Sequence, residues 1–327
     1  NGPIPYAPDG LPLLGPMPGV PDAFEAHSFT FGIAQGGGAG KVMAEWIIHG
    51  ETEWDMWDSD PRRFTAYADH DYALSKALET YGHEYAMHFP HHEWPAGRDQ
   101  KLSPIHAELV AAGGQMGAYN GWERANWFAK PGDDTTEEAT QTWDREGPWA
   151  ERIRDEVLAV RDNVGVLDMP GFSRFALSGE GAADWLLTRI AGGLPKPGRM
   201  TLGYFPDSRG KVVTEMSILR HDEDTFTLIT AAAAQWHDFE LLQKALPKGS
   251  SLSLTDQTES ASALIVTGHK SRELFNKISE NADLSLPWLS LQQARMAGRE
   301  AMLARVSFAG ELGWEIHADP KDISTIY

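Results

Sequence analysis

Glu215 is the only charged residue between Lys211 and Arg220, in the stretch RGKVVTEMSIL. As a strand, this stretch sets Val213, Ser217 and Leu219 on the same face as Glu215. Burial there would disfavour the charged carboxylate and raise its pKa toward values useful for moving a proton. A strand-edge Glu that reaches water fits the same pattern. A second candidate is the glycine run in FTFGIAQGGGAGKVMAEWI, residues 29–47. It is not a triphosphate loop: Gln35 stands where the first Gly belongs, and Val42 replaces the hydroxyl residue that would hold Mg²⁺. Nor does it have the G-x-G-x-x-G spacing of a dinucleotide pyrophosphate turn. His83, His88, His91 and His92 crowd together, but none is paired i, i+4 on one helix and Pro90 interrupts them, so no metal site is expected. Packing of these imidazoles with Trp94, Trp122 and Trp127 in an irregular region is expected instead.

These side chains need elements to hold them. Ala39, Val42, Met43, Trp46 and Ile47 follow i, i+3, i+4, i+7, i+8 spacing, which predicts a helix from about Gly38 with the glycine run as its entry loop. Unpaired N–H groups at such an end favour negative charge, and glycines at 36, 37 and 38 let a flat ring approach the backbone. A tight strand-to-helix turn without a ligand accounts for the same residues. HDYALSKALETYG reads as a helix, and Ile153, Val157, Val160 and Val164 mark one face of another. FSRFAL, the two halves of KVVTEMSILRHDEDTFTLITAA, SALIVTG and AMLARVSFAGELGWEIHA read as strands, with helices in GEGAADWLLTRI and HKSRELFNKI. His221 and Asp222 fall in a solvated hairpin turn. The expected fold is mixed α/β of the α+β kind, with antiparallel pairs. Three textures divide the chain at residues 1–55, 56–147 and 148–327.

Composition narrows the partners. The chain has 327 residues, 42% hydrophobic and 23% charged, and 28 basic against 47 acidic residues give a net charge of −19. Phosphate backbones and anionic lipid are repelled by such a surface, so neither nucleic acid nor a membrane is an expected partner. The absence of cysteine excludes disulfides, iron–sulfur clusters and thiolate zinc. No apolar run reaches the roughly 18 to 20 residues of a membrane span, and no signal peptide opens the chain, so a soluble cytoplasmic protein is expected. The start lacks Met and enters Pro- and Gly-rich extended chain, and the end stops at KDISTIY. A piece of a longer polypeptide is expected.

GPIPYAPDGLPLLGP followed by FEAHSFTFGIAQGGGAGKVMAEWIIHGE resembles the closing segment of FAD-dependent amine oxidoreductases of the glycine oxidase/sarcosine oxidase type. DPRRF, YGHEYAMHFPHHEWPAGR, GWERANWF and RIRDEVLAVRDNVGVLDMPGFSRFALSGEGAADWL then occur in the order found in sequences similar to dimethylglycine and sarcosine dehydrogenases. That family joins an oxidoreductase domain to a central linker and a folate-binding domain like the T-protein (aminomethyltransferase) of glycine cleavage. The resemblance covers essentially the whole chain. It implies oxidative demethylation of an N-methylated glycine by FAD, with the one-carbon unit passed to tetrahydrofolate.

Residue by residue, the resemblance sets Phe31, Gly32, Ile33, Gly36, Gly37 and Gly38 against the isoalloxazine of FAD. T-proteins carry Gly-Gly-x-x-x-Asp where this chain has Gly210, Lys211 and Glu215, which implies a catalytic carboxylate at Glu215 near the folate nitrogens, with an altered geometry. SFAGELGWEIH matches Tyr-Thr-Gly-Glu-x-Gly-x-Glu-Ile, which implies that Glu311 accepts hydrogen bonds from the pterin. Tyr204 is a candidate ring contact, although the family Tyr falls at Leu202, and buried packing explains Tyr204 equally well. The upstream FAD-binding part, with its G-x-G-x-x-G, is absent from these residues, and the folate domain lacks its C-terminal part. A docking module without transfer chemistry and a stand-alone aminomethyltransferase are the alternatives, the second disfavoured by residues 1–147.

Overall fold

A computed structural model describes residues 3–308 and 310–327. The N-terminal region opens with a hairpin, β1 (Leu13–Pro16) and β2 (Phe24–His27), that leads into α1 (Gly32–His49). Val42 and Trp46 of α1 are buried with Leu14, and Ala39 and Met43 pack beside them, while Ile47 stays exposed. The helix stops at Gly50, whose left-handed φ of 76° lets its N–H return to Trp46 O. Two single 3-10 turns follow, Trp57–Ser59 and Pro61–Arg63, the second capped by Asp60 with Pro61 in its first turn. Next come α2 (His70–His83), capped by Asp69, then α3 (His106–Ala111), the hairpin β3 (Gly114–Tyr119) and β4 (Trp122–Phe128), and α4 (Glu137–Thr140).

From α5 (Trp149–Asp162) onward the chain builds two antiparallel sheets. Its elements are β5 (Gly165–Asp168), β6 (Phe172–Ser178), α6 (Ala182–Leu187), β7 (Arg199–Pro206), β8 (Val212–Arg220), β9 (Thr225–Ala231), α7 (Gln235–Ala245) and β10 (Ser253–Asp256), then β11 (Ser262–Thr267), α8 (Ser271–Ile278), β12 (Leu291–Met296), β13 (Arg299–Ala304), β14 (Gly313–Ala318) and α9 (Pro320–Ile326). The first sheet runs β10-β6-β9-β8-β7, the second β12-β13-β14-β11-β5. A bridge between Arg199 and Ser290 joins the start of β7 to the segment entering β12.

Strand alternation decides which face goes where. Met216 and Ile218 of β8 point to a core with Phe175, Leu177, Trp185, Leu186 and Leu242, under α6 and α7. Trp314 and Ile316 of β14 point the opposite way, into a core with Phe275 of α8, Ile323 of α9, and Ile105 and Leu109 of α3. Between the sheets Met200, Leu219, Ile229, Leu291 and Ala304 meet. The result is helix, sheet, sheet, helix, and the inner layer is where a site can open.

One expectation fails here. The glycine run is not an entry loop: α1 already begins at Gly32, so Gly36, Gly37 and Gly38 are helical. Each interior glycine costs about 1 kcal/mol of helix propensity; the buried Val42–Trp46 side of α1 overrides it. The helix read around Ile153 and Val157 is present as α5, with both of these residues exposed and Trp149 its buried residue. Among the described residues, no helix is long and apolar enough to cross a membrane.

Candidate functional site

Tyr204 and Glu215 are directly opposed in the β7–β8 ladder. Residues 200, 202 and 204 of β7 and 219, 217 and 215 of β8 share the inner face of the sheet, and the two rows pass from the buried Met200 and Leu219 to the exposed Tyr204 and Glu215. The inter-sheet core thus ends in an open mouth lined by an aromatic ring and a carboxylate. The sequence pattern left Glu215 divided between a buried acid and a water-exposed one, and the structure gives the second. Any chemistry at this exposed carboxylate would depend on a bound ligand that covers it. Leu202, where the family Tyr falls, shares this face and is 46% exposed; Tyr204 is likewise exposed, which rules out a role confined to core packing.

Glu311 lies exposed in the loop between β13 and β14; Ala309 of the same motif lies outside the described residues. Leu289 N donates to Arg305 O, Arg305 N to Ser290 O, and Met200 N to Leu289 O, so the loop leaves the sheet beside the start of β7. Val306 packs against the inter-sheet cluster that contains Met200 and Leu219. The loop therefore starts beside the floor of the mouth formed by Tyr204 and Glu215. Arg305 holds its far end by donating from Nη1 to Gly313 O at 2.8 Å, and burial pushes its guanidinium pKa down.

Sequence reasoning missed what supports β8 from behind. Asp238 of α7 is fully buried and accepts from Thr214 Oγ1 at 2.9 Å and Thr230 Oγ1 at 2.6 Å, while His237 Nδ1 lies 2.8 Å from its other oxygen. Thr214 immediately precedes Glu215, so this carboxylate sets the strand position that carries it. The adjacent His-Asp pair in AAAAQWHDF was the available signal. A polar layer between the sheets was also not legible. Arg174 is buried, faces the charges of Glu315 and Asp168, and has its pKa lowered by desolvation; Glu315 pairs with His317 at 2.9 Å. His221 is not a solvated turn residue. It is half-buried, meets Thr227 Oγ1 at 2.8 Å, and burial lowers its pKa.

The N-terminal candidates form a separate surface. Gln35 N donates to Phe31 O, so the free N–H groups of α1 belong to the first residues after Phe31 rather than to the glycine run. Phe31 and Ile33 are exposed, and nothing lies within 4 Å of where a Cβ would stand on Gly36, Gly37 or Gly38. Phe31 and Gln35 border a cavity of about 630 Å³ with Asp9, Lys76, His83 and Trp94. Arg63 braces its rim by donating to both Asp9 oxygens, at 2.7 and 2.9 Å. The histidines gather on Trp94, with ring separations of 4.6 Å for His88 and 5.0 Å for His83. Among the described residues no three His, Cys, Asp or Glu side chains converge as a metal set.

Two sheets back to back, helices outside and an open inner edge define an aminomethyltransferase-like architecture. The Bartonella henselae glycine cleavage aminomethyltransferase T has this fold, with a TM-score of 0.56, 18% identity, and coverage of 69% of this chain and 55% of that one. The family described as GCVT N-terminal domain matches residues 105–327, and the chain belongs to that family. Residues 49–103 match the FAD dependent oxidoreductase central domain. Mouse mitochondrial dimethylglycine dehydrogenase is 31% identical over 331 residues, covering all of this chain and 38% of the relative. Human mitochondrial sarcosine dehydrogenase is 29% identical over 374 residues, covering all of this chain and 40% of the relative. The chain thus spans about two fifths of the length of these curated relatives.

Proposed function

We propose that this chain is the folate-binding and linker portion of a polypeptide that oxidatively demethylates an N-methylated glycine, of the dimethylglycine or sarcosine type, with FAD. The observation that carries the folate half is the Tyr204–Glu215 pair at the mouth beside which the Glu311 loop begins. These residue types suit a flat, donor-rich ring system: Tyr204 offers an aromatic face, and Glu311 can accept two parallel N–H donors. Tetrahydrofolate, when bound, supplies the nitrogens that take up the one-carbon unit, and FAD the acceptor for the hydride. Glu215 then takes or returns the proton at an amine nitrogen and balances positive charge that develops there. On the FAD side this chain offers one wall: the exposed Phe31–Ile33 end of α1 and the uncovered glycines at 36, 37 and 38, with no pyrophosphate turn of its own.

The test is Glu215→Gln in the full-length polypeptide. The substitution preserves shape and hydrogen bonding, so folate affinity is expected to hold while one-carbon transfer at saturating folate falls by about 10²-fold, as for loss of a positioned acid–base group. Unchanged transfer would overturn the catalytic assignment and favour a docking module.

A further inference from the structure

Glu51 follows Gly50, the residue that stops α1, and stands beside the turn of the β7–β8 hairpin: Arg209 Nε lies 3.2 Å from Glu51 Oε1. Asp207 closes that turn. Its Oδ1 accepts from Arg209 N and Lys211 N, each at 2.8 Å, and its Oδ2 from Arg209 Nε at 3.0 Å. The Arg209 guanidinium is thus oriented by its own turn before it meets Glu51, which reduces the side-chain entropy that an exposed ion pair otherwise costs.

The hairpin needs a hold at this end. Pairing slips between Phe205–Thr214 and Pro206–Val212, so Val213 is an extra residue on β8, a bulge close to Glu215. A bulge bends its strand and interrupts the ladder. On the inner side of the bulge, Thr214 is tied to the buried Asp238. Val212 and Val213 are exposed, so β8 has no apolar anchor at the turn. Among the described residues, the Arg209–Glu51 pair is the salt bridge that joins this turn to the N-terminal region.

We propose that Glu51 and Arg209 are positioning residues: their ion pair aims the end of the hairpin that presents Tyr204 and Glu215 and ties it to α1. The proposal rests on the reading above, with a flavin surface and a folate mouth, and adds how the first bears on the second. α1 has 18 residues, about 27 Å at the rise of a helix, with Phe31–Ile33 at one end and the clasp just past the other. Fixing the clasp therefore fixes where the mouth stands relative to that helix. Both residues act through the hairpin, and the proton at the amine nitrogen remains with Glu215.

The experiment follows methylenetetrahydrofolate formation in a single turnover of the full-length polypeptide, at saturating N-methylated glycine and tetrahydrofolate. Glu51→Arg sets two guanidinium groups together, and the rate is expected to fall about 3- to 5-fold, with about 2-fold for Arg209→Gln, the range of a partly exposed ion pair. Flavin reduction, folate Kd and melting temperature should stay at wild-type values, because Asp207 still closes the turn through backbone N–H groups and Glu311 is untouched. The exchange Glu51→Arg/Arg209→Glu should restore the rate, and added salt should slow the wild type toward Arg209→Gln. Unchanged transfer in Glu51→Arg, an exchange that restores nothing, or a loss of transfer that only tracks lost thermal stability overturns the clasp and leaves the folate reading intact. Absence of methylenetetrahydrofolate formation by the wild type overturns both.

Discussion

Asp238 braces the strand position next to Glu215 by accepting from Thr214 Oγ1. It is buried at 0% exposure and satisfies two threonine hydroxyls and His237 from three elements. Asp238→Ala would leave Thr214, Thr230 and His237 without their shared acceptor; the expected loss is about 3 kcal/mol of folding stability, read from denaturant midpoints. A change below about 0.5 kcal/mol would show that β8 is held by its apolar side alone. At this scale Glu215 stands out in the sequence as a lone charge among Val, Met, Ile and Leu, whereas Tyr204 is a weaker candidate that only the family resemblance suggests. Their cross-strand pairing was not legible, since register is set by contacts distant in sequence. Asp238 was hidden for the same reason: its partners lie 24 and 8 residues away.

Among the elements, the strand pairs that periodicity suggested, β8–β9 and β13–β14, are both present, while β7, β10 and β12 were not read as strands. The start of one helix was misread. α1 runs through three consecutive glycines because Val42 and Trp46 anchor it, a tertiary effect that propensity does not contain. In α5 the apolar spacing is real but Ile153 and Val157 remain exposed, since spacing shows that a face is apolar and not what covers it. The β8–β9 turn yields a pH prediction. Burial lowers the pKa of His221 below its ordinary 6.5; Asp222 opposes this and His317 adds to it. The unfolded chain therefore binds the proton more readily than the folded one. The contribution of neutral His221 is fully present above pH 6.5 and is lost as pH falls through that value toward the lower folded pKa. His221→Gln should flatten this part of the stability profile, measured by thermal or urea unfolding between about pH 7.5 and 5.5. Identical slopes for both proteins would refute the assignment.

Across the whole molecule, the N-terminal region is seated on α7. Gly19 N donates to Glu240 Oε1 at 2.8 Å, Arg62 Nη1 stands 3.7 Å from Glu240, and Trp57 meets His237 edge-on at 5.5 Å. The same helix thus carries Asp238 toward β8 and Glu240 toward the oxidoreductase-like residues, coupling the position of the two candidate surfaces. If, as proposed, residues 1–327 offer only a wall for a flavin ring and no pyrophosphate turn, the chain purified alone is expected to be colourless, with flavin absorbance well below one per chain. A yellow protein at one FAD per chain would contradict that division of labour. The central claim is that the mouth beside Glu215 and Tyr204 receives folate, and calorimetric titration of this chain with tetrahydrofolate tests it most directly. Wild type should bind at one site, Glu215→Gln should bind about equally, and Glu311→Ala should weaken binding by about 2 to 3 kcal/mol, the loss of a charge-assisted pair. No binding by the wild type, or binding indifferent to Glu311→Ala, would contradict it.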